Sequence, residues 1–256
     1  MLKRGLEAMV PVNLSAEGQK KLFAWLSLAV ASLVGAGLFA ILVALGRTPG
    51  VQDLLPGGDY FRRALVGHVN LAVVIWFLTF QGVLWSLATD GPFTLLARAG
   101  FWVTALGAAV LTVPAFLGWG NPVLSNYIPV LNHPLFLIGE LFLVAGIGIS
   151  AVDTLFQVRK AARPLTLVAF GSGITASLVL ISLICFGLSA IRLSGGNDPP
   201  QIYFEKLAWG GGHILQFSNT TAMVVVWVLL FSQIRGTKHL PGILQGERLK
   251  GLLKVF

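Results

Sequence analysis

Charge is what this sequence has least of. Only 11% of its 256 residues are Asp, Glu, Lys or Arg, against about 25% in an average soluble domain, while 55% are hydrophobic. A water-soluble fold of this size has no means of hiding so much apolar surface. A soluble enzyme or binding module is therefore excluded, whereas lipid as solvent removes the conflict. Acidic residues are scarcer still, 10 against 18 basic ones. No basic cluster is interleaved with aromatics, so nucleic acid is not expected as a partner. Cysteine is nearly absent: Cys185 alone rules out an internal disulfide or a multi-thiolate metal centre within the chain.

What the sequence does have is a train of apolar runs. A bilayer core about 30 Å thick needs roughly 20 apolar residues in a helix. Six runs meet that length: Leu22–Leu45, Ala64–Ala88, Ala99–Gly118, Pro134–Gln157, Leu165–Ile191 and Ala208–Ser232. Turn-forming stretches such as Thr48-Pro49-Gly50, Asn121-Pro122 and Gly195-Gly196-Asn197-Asp198-Pro199-Pro200 separate them. The first run exceeds the core of a signal peptide, about 7–15 residues, and is expected to be a retained helix. The expected fold is all-α, a polytopic membrane bundle of about six transmembrane helices. Residues 1–21 read as an interfacial segment, with Ser15 as a helix cap and Lys20 and Lys21 at the head groups. Residues 22–232 form the transmembrane domain, and residues 233–256 a basic cytoplasmic tail.

Lys and Arg indicate direction. With the N-terminus inside, 13 of the 18 fall in inner segments, and only Arg47, Arg62, Arg63, Arg192 and Lys206 lie outside. The positive-inside rule then places both termini in the cytoplasm and the chain in the cell (inner) membrane, in contact with lipid. Matching broken helices of the kind found in inverted-repeat transporters are not evident.

Three of the four histidines stand near the outer ends of helices two, four and six. They are His68, His133 and His213, while His239 belongs to the tail. An imidazole in a membrane helix is uncommon and usually faces the interior. The helical face of His68 continues through Leu71, Ala72, Ile75 and Thr79. A flat macrocycle could lie on such a face with neutral imidazole as axial ligand, but from this residue alone a hydrogen bond to a neighbouring helix is the favoured account. His213 follows Trp209-Gly210-Gly211-Gly212. Glycine in a helix costs about 1 kcal/mol relative to alanine, so a close approach is expected there, of a cofactor edge or of another helix. Gln216, Phe217 and Thr220 share the His213 face, and Ser218-Asn219-Thr220-Thr221 adds polar groups at mid-membrane. His133 precedes Pro134, as at a helix start, and is a weaker haem-ligand candidate. Glu140, on nearly the same face as His133, is the one acid well inside a span; with Thr220 it is a candidate for a proton path.

A Gly-His on helix two and a Trp-Gly-Gly-Gly-His on helix six, at equal depth, resemble the catalytic subunit of the haem-copper oxidase superfamily. The resemblance runs over nearly the whole chain and implies a low-spin haem b on His68. It implies copper, or the non-haem iron of nitric oxide reductases, on His213. It also implies electron transfer to dioxygen or nitric oxide, an extracytoplasmic donor such as cytochrome c, and further membrane subunits of a respiratory complex. Where many oxidases carry a tyrosine four residues after the helix-six histidine, this chain has Phe217, closer to the cbb-type oxidases and nitric oxide reductases. The adjacent histidine pair of helix seven and the His-x-His of helix ten have no counterpart here. A split catalytic subunit, an incomplete sequence and a reduced relative all remain open, and the first needs a further chain for helices seven onward. Two other classes stay in play. One is a self-contained membrane cytochrome b with His68 paired to His133 or His213. The other is a non-redox transporter or assembly scaffold.

Overall fold

A computed structural model describes residues 14–55, 59–88, 90–124, 128–161 and 165–234, with side chains to residue 231. His239 and the basic tail lie outside the described residues. Six helices are long and apolar enough to cross a membrane. They are α1 (Ala16–Leu45), α2 (Tyr60–Ala88), α3 (Leu95–Leu117), α4 (Pro134–Lys160), α5 (Leu167–Leu193) and α6 (Pro200–Ile234).

The starts are set by side-chain caps. The hydroxyls of Ser15, Thr94 and Thr166 accept from the N–H groups of Gly18, Ala97 and Ala169 at 3.0–3.1 Å, which satisfies donors that a helix leaves unpaired. His133 caps α4, with Pro134 in the first helical position. Gly118 stops α3 with φ 72°, a left-handed conformation that suits glycine. Each span extends beyond the apolar run that announces it, and α6 and α1 do so furthest at their starts. α6 begins at Pro200, so the triple glycine lies inside the helix and does not open it. α1 begins at Ala16, which makes Lys21 a helical residue; expected among head groups, it is instead 4% exposed.

That lysine belongs to a knot at one end of the bundle. Its Nζ lies 3.4 Å from Asp153 Oδ2 of α4. Asp153 also accepts from Thr94 Oγ1 at 3.0 Å and from Gln157 Nε2. Beside it, Asp90 takes both the N–H and the hydroxyl of Ser15 at 2.8 Å, and Arg98 reaches Glu17. The opposite end is closed by a two-stranded antiparallel ribbon, β1 (Asn121–Val123) on β2 (Val130–Asn132). It falls within a stretch the sequence presents only as an uncharged loop. Tyr60 Oη donates to Phe116 O at 2.9 Å, and Asn70 Nδ2 donates to Pro129 O at 2.7 Å, joining α2 to this ribbon end.

Between the two ends, α3 and α4 pack backbone to backbone. Gly100 and Gly107 on α3 face Gly139 and Gly146 on α4. A Cβ on Gly107 would strike the Leu143 N–H, and one on Gly146 the Thr104 N–H. Small residues permit this approach in lipid, where packing rather than water drives association. α2 is the central helix and is broken by a π turn, Asn70–Ile75, which begins two residues after His68. Such turns in α-helices are frequent at functional sites.

Candidate functional site

His68 lies half-buried on α2 near the ribbon end. Its Nδ1 is 2.9 Å from the Ala36 carbonyl of α1. A carbonyl oxygen only accepts, so Nδ1 carries the proton and the lone pair is left on Nε2. Metal-binding imidazoles are commonly held this way, with the second nitrogen donating to a carbonyl. The contact needs close packing: a Cβ on the preceding Gly67 would sit 2.7 Å from Phe39 Cε1 and 2.9 Å from Ala115 Cβ. The face read through Leu71, Ile75 and Thr79 does not continue simply from His68. The π turn re-registers the helix, and all three residues are buried in the bundle.

His213 has the same tautomer by a local route. Its Nδ1 is 2.6 Å from the Trp209 carbonyl one turn earlier, and its ring centroid is 4.8 Å from that of Trp209. The packing face of α6 is elsewhere. Gly211 meets Phe186 of α5, and its carbonyl accepts from Ser182 at 2.6 Å, while Val225 meets Gly171. At about 100° per residue, His213 lies roughly 200° round from Gly211 and faces away from α5. Gln216, Phe217 and Thr220, on the same side, are exposed. Of the three glycines, Gly211 thus serves helix packing, and Gly210 has nothing within 4 Å of a Cβ.

His133 differs. Its Nδ1 accepts from Leu135 N–H at 3.3 Å as the cap of α4, and the ring lies 5.8 Å from that of Trp119. The neutral tautomer in that role carries its proton on Nε2, so its one lone pair is already engaged. Among the described residues, no three His, Cys, Asp or Glu side chains gather to hold a metal ion. The three histidines share one end of the bundle, but the structure does not gather them into one metal-binding group. On the α6 side, His213 is one donor where a protein metal site commonly takes three or four.

Among the described residues, two buried oxygens have no hydrogen-bond partner, Glu140 Oε1 and Asn70 Oδ1. Asn70 is fully enclosed, and its amide N–H groups go to Val66 O at 3.0 Å and Pro129 O at 2.7 Å. Its importance had one sequence signal, a polar residue two positions after His68 in an apolar run. A second polar group was less legible. Gln81, Trp85, Ser172, Thr175, Ser218 and Asn219 form a seam where α2, α5 and α6 meet. Trp85 Nε1 donates to Thr175 Oγ1 at 2.9 Å, and Ser172 Oγ donates to Leu84 O at 3.2 Å.

Six spans with a two-stranded ribbon at one end define a multi-pass membrane protein. Residues 20–242 match the family model for cytochrome c and quinol oxidase polypeptide I, and the chain belongs to that family. It is similar to an uncharacterized protein of Aquifex aeolicus (strain VF5), 32% identical over 213 residues, covering 80% of this chain and 52% of the relative. It is also similar to the uncharacterized protein RP382 of Rickettsia prowazekii (strain Madrid E), 30% identical over 240 residues, covering 82% of this chain and 46% of the relative. The chain thus spans about half the length of the curated relatives it matches. No solved structure matches it.

Proposed function

We propose that this chain is a haem-copper-oxidase-like respiratory subunit that passes electrons towards dioxygen, or another small gas such as nitric oxide, together with a further chain. The observation that carries the reading is the His68 ring: Ala36 O holds its Nδ1 proton, so Nε2 presents the lone pair an axial ligand needs. A low-spin haem b bound there would supply a one-electron carrier within the bilayer. His213 gives one nitrogen donor to copper or non-haem iron, and the remaining donors come from a partner subunit. Support for such a partner lies on α6 itself. Gln216 and Thr220 are exposed beside His213, and polar groups at membrane depth are expected to be covered by protein or line a hydrated cavity.

The other assigned roles follow from the same frame. Glu140 is half-buried in α4 with its Oε1 enclosed and unpartnered, a group that could take up and release a proton there, and Thr220, exposed on α6, is a separate candidate for such a path. On this reading the ribbon end faces an extracytoplasmic electron donor such as cytochrome c and both termini are cytoplasmic, an orientation supported by the distribution of Lys and Arg. The lone-cytochrome reading is less favoured. His133 has its lone pair engaged in a cap, and His213 turns away from α5.

The test is a reduced-minus-oxidised visible spectrum of the chain extracted from its native membrane with whatever co-purifies. b-type bands should appear, vanish in His68→Ala and persist in His133→Ala. A flat spectrum from intact protein with its partners present would sink the reading. For the proton path, Glu140→Gln should lower turnover and proton uptake by about 10²-fold or more, the scale of a positioned acid–base group; unchanged values remove Glu140 from it.

A further inference from the structure

We infer that Gln81 is a positioning residue whose side-chain amide ties α2, the helix of His68, to the back of α6 and so sets where His213 stands. Gln81 is 1% exposed. Its Nε2 donates to Asn219 Oδ1 at 2.8 Å, and its Oε1 accepts from Ser218 Oγ at 2.9 Å. The two partners are consecutive residues of α6. At about 100° per residue they lie roughly 140° and 240° round the helix from His213. Their mean direction is therefore almost diametrically opposite the imidazole: one amide grips α6 from behind while His213 faces out in front.

The grip is directional in a way apolar packing is not. The amide presents one acceptor and one donor at fixed separation, and each is used once, by a different residue. A leucine would fill similar space and hold neither. Other contacts do not replace it. Trp85 and Ser172 fasten α5 to α2, and α6 rests on α5 through Gly211 against Phe186 and through Ser182 Oγ on Gly211 O. Ser218 Oγ also lies 3.1 Å from Thr175 O of α5, so losing Gln81 leaves Ser218 an acceptor on α5. Asn219 Oδ1 loses the Gln81 donor. α6 would then keep its seat on α5 and its apolar contact with α2 near Ala88 and Val225, but lose the directional tie to α2, and small translations of packed helices are the ordinary response to such a loss. That the position of His213 matters chemically rests on the metal-site reading above; the tie itself does not.

The experiment uses the full chain with its co-purifying partners. Cys185 is replaced by Ser, and nitroxides are placed at Val73→Cys on α2 and Val224→Cys on α6, both exposed positions. Pulsed electron resonance then reads the distance between them. Gln81→Leu should move the mean distance by about 2 Å or spread a narrow distribution, and Asn219→Leu should do the same. Gln81→Glu, neutral in the bilayer, still accepts from Ser218 and donates to Asn219, and should restore the native distance. An unchanged distance in both leucine variants overturns the inference. Should Gln81→Leu fail to fold, Asn219→Leu carries the test alone. No haem or metal enters this readout. A moved distance with a flat optical spectrum keeps the tie and sinks the metal reading, and haem bands with an unmoved distance do the reverse.

Discussion

Helices α2 and α6 each carry a histidine near the same end of the bundle, yet they live in different solvents. The most apolar stretch of α2 is 67% buried inside the chain, and that of α6 only 17%. The imidazole of His68 is held by another helix, through Ala36 O, and its orientation exists only once α1 has packed. His213 is held by its own helix, through Trp209 O, and would be oriented even on an isolated α6. The chain therefore fixes one imidazole through its tertiary structure and the other within a single helix.

Glycine substitutions test most severely how open α6 is, because Gly146 of α4 and Gly210 of α6 stand in opposite surroundings. On the α3–α4 side, a Cβ at Gly146 meets the backbone N–H of Thr104, which no rotamer change can move. Gly146→Leu should prevent assembly of that pair, beyond the roughly 1–3 kcal/mol usual for overpacking. It would be read as loss of folded protein in detergent. On α6, Gly210 has open space around it. Gly210→Ala should stabilise the helix by about 0.5–1 kcal/mol. Equal losses at both positions would mean that α6 is as tightly surrounded as α4, and the contrast would be false.

Next in size is the ion pair of the knot. Lys21 and Asp153 are 4% and 5% exposed, and removing one partner of a buried pair leaves an uncompensated charge, at about 3–5 kcal/mol. Asp153→Ala should lower unfolding stability by that amount. The double replacement Lys21→Met with Asp153→Leu should recover most of it, since apolar substitutes for a buried pair are often neutral. A double variant as unstable as the single would show that Thr94 and Gln157, which also donate to Asp153, carry the effect.

The knot also marks where sequence reading stops. The six spans were legible because hydropathy over some 20 residues is a local property that lipid enforces. The caps at Ser15 and at His133-Pro134 were legible because a cap and its acceptor lie within one turn. Lys21 was not. Beside Lys20 it looks like a second head-group anchor, and only the approach of Asp153, 132 positions away, makes it a core residue. Gln81 fails for the same reason, a lone amide whose partner is visible only in three dimensions, and Asn219 shows in the sequence only as one member of a polar run. The uncharged loop over Asn121–His133 concealed a ribbon, since three-residue strands are too short for a period-2 pattern to show. The candidate histidines could be named from spacing. Which nitrogen each presents could not, because tautomer depends on the carbonyl that packing brings to Nδ1.

The gentlest substitutions sharpen the comparison most. Gln216→Leu with Thr220→Val replaces two exposed polar groups of α6 by apolar ones of similar size. If that face met lipid, the change would relieve a cost, and the chain would be at least as stable in every setting. If another membrane subunit covers it, the isolated chain should be unaffected, within about 0.5 kcal/mol as for other surface changes. The complex would instead lose interhelical hydrogen bonds worth about 0.6 kcal/mol each. Two such bonds correspond to roughly tenfold weaker association. Purification from native membrane at increasing detergent would read it, as earlier loss of the co-purifying chain in the double variant than in the parent. The same pair of changes on α1, at Val30 and Val34, which are 49% and 61% exposed and wholly apolar, offers no polar group to remove. α1 therefore gives no reason to expect a partner there, and retention unaltered by Val30→Leu with Val34→Leu would mark that face as lipid-facing. Dissociation that responds to the α6 pair and ignores the α1 pair would locate the open side of the molecule on the face that carries His213.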